Sequence, residues 1–217
     1  MQTKELYIIG AGGFGREVAW LAERINALEP TWDIKGFVDD NEAVLGTKQG
    51  KYEVIGTCQM LGEIDKEVWV VCAIGASLVR KKVIKKVSQY KNVKFATLID
   101  PSVIMSDSVK IGEGTIVCAG NILTVDISIG NHVIINLDCT VGHDVVMDDF
   151  VTLYPNVNVS GCSTLEECVE MGTGAQIIQG KKILYGTIVG AGSVVTKDLP
   201  ANCTAVGAPA KPIKFRE

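Results

Sequence analysis

From residue 99 to residue 195, every sixth position is Val, Ile, Leu or Met. The series runs Ile99, Met105, Ile111, Val117, Leu123, Ile129, Ile135, Val141, Met147, Leu153, Val159, Leu165, Met171, Ile177, Ile183, Val189, Val195, and its phase never slips. In a chain that is 47% apolar, such a run has a chance on the order of a few in a million, so the period is real. A strict hexad is the mark of a parallel β-helix. Each hexad supplies one short strand and one corner, and three hexads close a triangular lap of about eighteen residues. The large aliphatic residue points inward and stacks on its equivalents in the laps above and below. Four residues later a second inward position holds small or β-branched residues: Thr115, Val133, Cys139, Val145, Val151, Val157, Ser163, Val169, Ala175, Thr187 and Ser193. Gly112, Gly130, Gly142, Gly172 and Gly190 directly follow a stacking residue, where a corner calls for a small side chain. At about 4.8 Å between neighbouring strands, the span gives a prism of a little over five laps, roughly 25 Å tall. Its outer faces carry Val125, Ile134, Leu137 and Val146, apolar residues better buried, which is a physical motive for self-association.

A net charge of −4 disfavours nucleic-acid binding. Low aromatic content (6%) and 23 glycines fit a corner-rich prism rather than an aromatic core. The seven cysteines, Cys58, Cys72, Cys118, Cys139, Cys162, Cys168 and Cys203, form no C-x-x-C pair. With no signal peptide legible, they are expected as free thiols in a reducing cytoplasm, and no metal is expected. The longest apolar runs, such as 68–74, are too short to span a bilayer.

Residues 1–97 read differently. A short apolar strand, Leu6-Tyr7-Ile8-Ile9, leads into Gly10-Ala11-Gly12-Gly13-Phe14-Gly15 and then a helical spacing of apolar residues from 16 to 25. Further strands are expected at 34–38, 52–55, 68–74 and 94–98, with a basic helix over 78–90. Alternating strands and helices imply a small doubly wound parallel sheet. Gly10, Gly12 and Gly15 spell G-x-G-x-x-G, and Asp39 follows at a strand end, a pattern shared with dinucleotide-binding folds. The segment has room for only one mononucleotide-binding half. An NAD enzyme, a phosphate or nucleotide cradle for another ligand, and a ligand-free tight turn all remain open readings. Arg80, Lys81, Lys82, Lys85 and Lys86 are expected to form a solvated helix face, with phosphate contact as the alternative.

The two histidines, His132 and His143, fall outside both inward phases. His143 follows Thr140-Val141-Gly142 and precedes Asp144, so its ring projects from a corner where an external ligand can reach it. Imidazole titrates near neutrality and suits general-base work, with Asp144 placed to hold it. Gly161 lies one lap above His143, and its bare N–H can face a developing oxyanion. Asn136 is a corner away and helps only if it faces another subunit's histidine. His132 is expected to be an ordinary exposed corner residue. Cys139 is read as buried filler rather than as a nucleophile.

These residues resemble a known family: the hexapeptide-repeat acyltransferases that carry a small N-terminal nucleotide-binding domain. They include bacillosamine-type UDP-amino-sugar N-acetyltransferases and sialic acid O-acetyltransferases. The resemblance rests on Gly10 to Gly15, Phe37-Val38-Asp39-Asp40, Ala73-Ile74-Gly75, His143-Asp144, Gly161 and the tail Val206-Gly207-Ala208-Pro209-Ala210-Lys211. It implies a left-handed β-helix over 98–217, a nucleotide-sugar-binding α/β domain over 1–97, and a homotrimer with active sites between subunits. It also implies acetyl-CoA as co-substrate and a nucleotide-linked, UDP-4-amino-4,6-dideoxy type of sugar as acceptor. Gly12, Gly13, Phe14, Asp39, Asp40 and Gly75 would contact that sugar nucleotide. His143 would be the base, with Asp144 and Asn136 assisting. Thr152, Gly161, Thr173 and Ala191 would line the acetyl-CoA groove. Family members often carry histidine where this chain has Phe14, and some carry one where it has Thr152. Acetylation of a sugar hydroxyl and a non-catalytic binding role are the alternatives.

Overall fold

The computed structural model describes residues 3–216. The first apolar run forms β1 (Lys4–Ile9), and the glycine loop turns the chain into α1 (Gly13–Leu28). There follow β2 (Trp32–Val38), β3 (Lys48–Gln49), β4 (Tyr52–Gly56), β5 (Val68–Cys72), α2 (Ser77–Val87) and β6 (Val93–Phe95). The sheet order is β3-β4-β2-β1-β5-β6, with only the β3–β4 hairpin antiparallel. The expected strand at 52–55 is β4, whereas β3 and the 3-10 turns at Glu42–Val44 and Cys58–Glu63 are too short to leave a periodic signal. The last strand is shorter than expected, because Leu98–Ile99 already belongs to the prism. Gly10 adopts φ +101°, and a Cβ on Gly15 would overlap the Gly10 carbonyl oxygen. Two of the three fingerprint glycines are therefore demanded by the turn and by α1 packing against it.

Beyond residue 97 the chain winds in two-residue strands. Each pairs in parallel with a strand eighteen residues away, as Ile116 does with Ile134 and Thr140 with Asn158. Three sheets result. Face one holds Leu98–Ile99, Ile116–Val117, Ile134–Ile135, Thr152–Leu153, Glu170–Met171 and Ile188–Val189. Face two runs from Ile104–Met105 to Val194–Val195, and face three from Lys110–Ile111 to Lys182–Ile183. The chain is a small α/β unit followed by a left-handed parallel β-helix. Stacking residues from Val117 to Val195 are buried, as are all the second inward positions named above. Met105 departs from this rule at 44% exposure, because it lies in the first lap and nothing stacks beneath it. At the other end a hairpin of Cys203–Val206 and Lys211–Phe215 extends face one.

One corner residue per hexad takes left-handed backbone geometry, among them Asp126, His132, Asp138, Asp144, Phe150, Asn156, Cys162 and Cys168 at φ +53° to +61°. A non-glycine residue there costs about 1–2 kcal/mol. The lap geometry imposes the conformation, and Asp and Asn tolerate it best.

Face one packs against the α/β unit. Leu98, Ile116, Cys118 and Ile134 share an apolar cluster with Leu6, Ile8, Val18 and Leu21. Ile134 and Leu137, expected to await a partner, are thus covered by the chain's own first unit. The joint also overturns the expectation of a solvated basic face. Arg80 is 1% exposed. Its Nε donates to the His132 carbonyl at 3.0 Å, and Nη1 donates to those of Ile74 and Gly75 at 2.6 and 2.9 Å. Nη2 reaches the Phe150 carbonyl at 2.7 Å and Thr152 Oγ1 at 2.8 Å. Burial pulls the guanidinium down to about 10, which still leaves it charged at neutral pH. The lysines of α2 stay outside, Lys81 paired with Glu167 and Lys86 with Asp40.

Candidate active site

Three groups of residues matter, and the fold sets them on separate parts of the chain. The first is the edge joining faces two and three. His143 and Asp144 sit there, with His143 Nδ1 2.8 Å from Asp144 Oδ2 and both side chains more than half exposed. One lap above, Gly161 covers the imidazole and Cys162 covers Asp144, the Cys162 N–H donating to the His143 carbonyl at 2.8 Å. Gly142 lets the laps close: a Cβ on it would lie 2.7 Å from the Gly161 nitrogen. Among the described residues the Gly161 N–H has no acceptor. An imidazole, a carboxylate within hydrogen-bond reach of it and an uncommitted backbone donor thus converge at a solvent-facing edge.

The second group lies on the edge joining faces one and two. Thr173 and Ala191 stack one lap apart, both exposed, with the Gly192 N–H donating to the Thr173 carbonyl at 2.9 Å. Asn136 is on the same edge, 8% exposed, its Oδ1 accepting from the Leu137 N–H at 2.7 Å. None of these three shares the edge of His143.

The third group is the cleft above β1, β2 and β5, about 230 Å³, lined by Ile9, Gly10, Asp39, Asp40, Cys58, Ile74, Val79 and Val83. Asp39 accepts from the Ala11 and Asn41 N–H groups, both at 2.9 Å, and so braces the glycine loop. Asp40 accepts from the Cys58 N–H at 2.8 Å and pairs with Lys86 at 2.9 Å. Burial works to raise its carboxyl, but hydrogen bonds from Lys86 and Cys58 outweigh that and hold it below the usual range. Gly12 and Gly13 are exposed at the loop's crest, while Phe14 turns its ring partly into the unit's own apolar cluster. Gly75 closes the cleft toward the prism: a Cβ there would lie 3.3 Å from the Tyr154 hydroxyl.

Two expectations change. Thr152 is 1% exposed, its hydroxyl held between the Gly75 carbonyl and Arg80, so it serves the joint and has no open path to a groove. His132 is not exposed either. Its ring stacks on Phe150 at 5.3 Å, meets Phe95 edge-on at 4.7 Å, and among the described residues has no hydrogen-bond partner at Nδ1. Desolvation, aided by the Arg80 charge, lowers it to about 4. Sequence reasoning passed over Tyr154 and Glu170. The Glu170 carboxylate accepts from the Ser77 N–H and hydroxyl, each at 2.8 Å, and from the Tyr154 hydroxyl at 3.2 Å, fixing the start of α2 to face one. A signal existed: outward positions of face one read Leu98, Ile116, Ile134 at lap spacing, so a carboxylate later in that column belongs to a covered face.

Residues 5–87 match the family described as the PglD N-terminal domain. Across 215 residues, 95% of either protein, the chain is 31% identical to GDP-perosamine N-acetyltransferase of Escherichia coli O157:H7. The chain belongs to the hexapeptide-repeat sugar N-acetyltransferases. As a member of that family it is an acetyl-CoA-dependent acetyltransferase. Among solved structures, a histidine-to-asparagine variant of perosamine N-acetyltransferase from Caulobacter crescentus, in complex with CoA and GDP-perosamine, matches with a TM-score of 0.86. Its identity is 31% over 98% of both chains. The acetyltransferase domain of PglB from Neisseria gonorrhoeae FA1090, in complex with acetyl coenzyme A, matches at 0.85 and 30% identity, over 98% of this chain and all (100%) of that one. WeeI from Acinetobacter baumannii AYE matches at 0.87 and 32%, over 97% and 100%. No helix among the described residues of this sugar N-acetyltransferase is long and apolar enough to cross a membrane.

Proposed function

We propose that this protein moves an acetyl group from acetyl-CoA to the amine of a nucleoside-diphosphate-linked amino sugar, with His143 as general base. The observation that carries the reading is the stack of Gly161 over the His143–Asp144 pair at an open edge. An unprotonated amine attacks the thioester carbonyl, and His143 takes the proton released as the C–N bond forms. The Gly161 N–H faces the oxygen that gains charge, where a preorganised donor stabilises it. Asp144 holds the Nδ1 side of the ring, which leaves Nε2 toward the reacting atoms. Collapse then expels the CoA thiolate, which is reprotonated.

The edge that bears His143 lies across the prism from face one, and the nucleotide cleft sits on the far side of that face. One chain therefore does not join its own cleft to its own base. The edges of His143 and of Thr173–Ala191 both border face two. Turned toward a threefold axis, face two would bring one chain's His143 edge against the next chain's Asn136, Thr173 and Ala191. Exposed apolar residues on and beside that face support the arrangement: Ile104 at 66%, Ile122 at 41%, Val125 at 45% and Ile178 at 42%. This reading is a homotrimer, with each site shared by two subunits. Gly12, Gly13, Phe14, Asp39, Asp40 and Gly75 would then present the sugar nucleotide. Free cysteines, six of them buried, suit a reducing cytoplasm.

The test is a transfer assay with GDP-linked and UDP-linked 4-amino sugars, comparing the wild type with His143→Ala. Loss of the base should lower turnover by about 10²–10⁴. A variant within tenfold of wild type would take His143 out of the mechanism. Transfer to sugars without a nucleotide, or only to a hydroxyl, would refute the acceptor class.

A further inference from the structure

The edge that holds the base also holds a thiol. Of the seven cysteines, Cys162 alone is exposed. It occupies the same left-handed corner position as Asp144, one lap above it, so the winding itself brings the two side chains together. One ligand atom each from His143, Asp144 and Cys162 lie within 4.8 Å of one another. We propose that these three residues form a binding site for a thiophilic divalent cation, Zn²⁺, and that its binding switches acetyl transfer off. The inhibitory half of this rests on His143 being the base.

Zinc prefers tetrahedral coordination by nitrogen, sulfur and oxygen at about 2.0–2.3 Å, which sets ligand atoms about 3.5 Å apart. The three side chains are exposed and project from corners, so closing from 4.8 Å needs only side-chain rotation. Gly161, between them, has no side chain to obstruct the ion. A mixed imidazole, thiolate and carboxylate set selects zinc over magnesium or calcium, which favour all-oxygen shells. On coordination the Cys162 thiol loses its proton to solvent, and His143 gives its lone pair. No electron changes hands. A lone pair held by the cation cannot accept the amine proton, so the enzyme stops without unfolding and recovers when a chelator removes the ion.

The experiment uses the reduced, chelator-treated full chain. Cobalt is added as a spectroscopic stand-in, and absorption from thiolate-to-cobalt charge transfer is recorded. The wild type is expected to show the band, and Cys162→Ser and His143→Ala to lack it. In parallel, the acetylated product is measured by chromatography over a zinc series. Cys162→Ser should match wild-type turnover without metal and need at least tenfold more zinc for half-inhibition, with EDTA restoring the wild type. No band in the wild type, a band that survives in either variant, or equal zinc sensitivity of wild type and Cys162→Ser would overturn the proposal. The two readings fail separately. A cobalt band in a wild type whose transfer survives His143→Ala keeps the metal site and removes the base. Transfer lost in His143→Ala with no band in the wild type does the reverse.

Discussion

A side chain at Gly161 would begin 2.6 Å from the Nε2 of His143 in the lap below. Gly161 does not take left-handed geometry, so alanine is compatible with its backbone. The clash falls on an exposed ring that can swing aside, and the cost is therefore paid in catalysis rather than in folding. Gly161→Ala should lower turnover by tenfold or more, through displacement of the base and crowding of the free N–H; loss of one such donor alone is worth about 10²–10³. Its melting temperature should stay close to that of the wild type. Parallel melting curves and rate measurements check this, and unaltered turnover would show that the thioester does not sit between these residues.

Among the described residues Arg80 is the one buried cation, and it serves main-chain carbonyls of both units. Arg80→Ala would strand these acceptors and cost about 3–5 kcal/mol. Arg80→Lys should recover little, because one ammonium cannot reproduce the fork that spans Ile74, His132 and Phe150. Urea unfolding of the three proteins at one concentration measures the effect. A lysine variant as stable as wild type would show that charge alone, without the fork, holds the joint.

The prism was legible because its period is strict: seventeen aliphatic residues in one phase leave no other fold for residues 99–195. The lap length then placed Gly161 over His143 without coordinates. What stayed hidden was whatever depends on which face is covered. His132 and His143 both read as corner residues, three and two positions after a stacking residue, yet one is 4% exposed against Phe95 and the other stands free, because the edge between faces three and one meets the α/β unit. Arg80 was hidden for the same reason. In a run of basic residues nothing local distinguishes the one that turns inward; only the partner carbonyls of His132 and Phe150, 52 and 70 residues on, do so. Thr152 was misplaced by carrying a neighbour's role over by position, where burial in the joint decides its role.

The His132 ring gives the fold a dependence on pH. Its folded value is pushed down to about 4, against about 6.5 in an unfolded chain. The folded state thus holds the ring neutral while the unfolded chain takes up the proton first. Stability from this residue is full above the unfolded value and is lost as pH falls toward the folded one. Between pH 7 and pH 5 the loss from this group is about 2 kcal/mol. His132→Phe has no proton to gain, so its own drop over that interval should be smaller by about the same amount. Urea unfolding at both pH values, at fixed protein concentration, gives the difference, and any constant offset from the larger ring cancels. Equal drops would mean that the ring is not held neutral.

Sites shared between subunits can be tested by mixing two inactive chains. His143→Ala lacks the base but keeps the cleft. Gly12→Trp keeps the base; a Cβ on Gly12 meets nothing within 4 Å, so the indole can fill the loop's crest without disturbing the fold. Each homotrimer should be nearly inactive. In trimers assembled at random from equal amounts of both, a junction works only when an intact His143 edge meets an intact neighbouring cleft. That condition holds at about a quarter of junctions in a closed ring. Co-expression with two affinity tags, followed by tandem purification and a transfer assay, should therefore recover activity that neither variant has alone. Were cleft and base to cooperate within one chain, no chain in the mixture would carry both intact, and the mixed trimers would be as inactive as their parents.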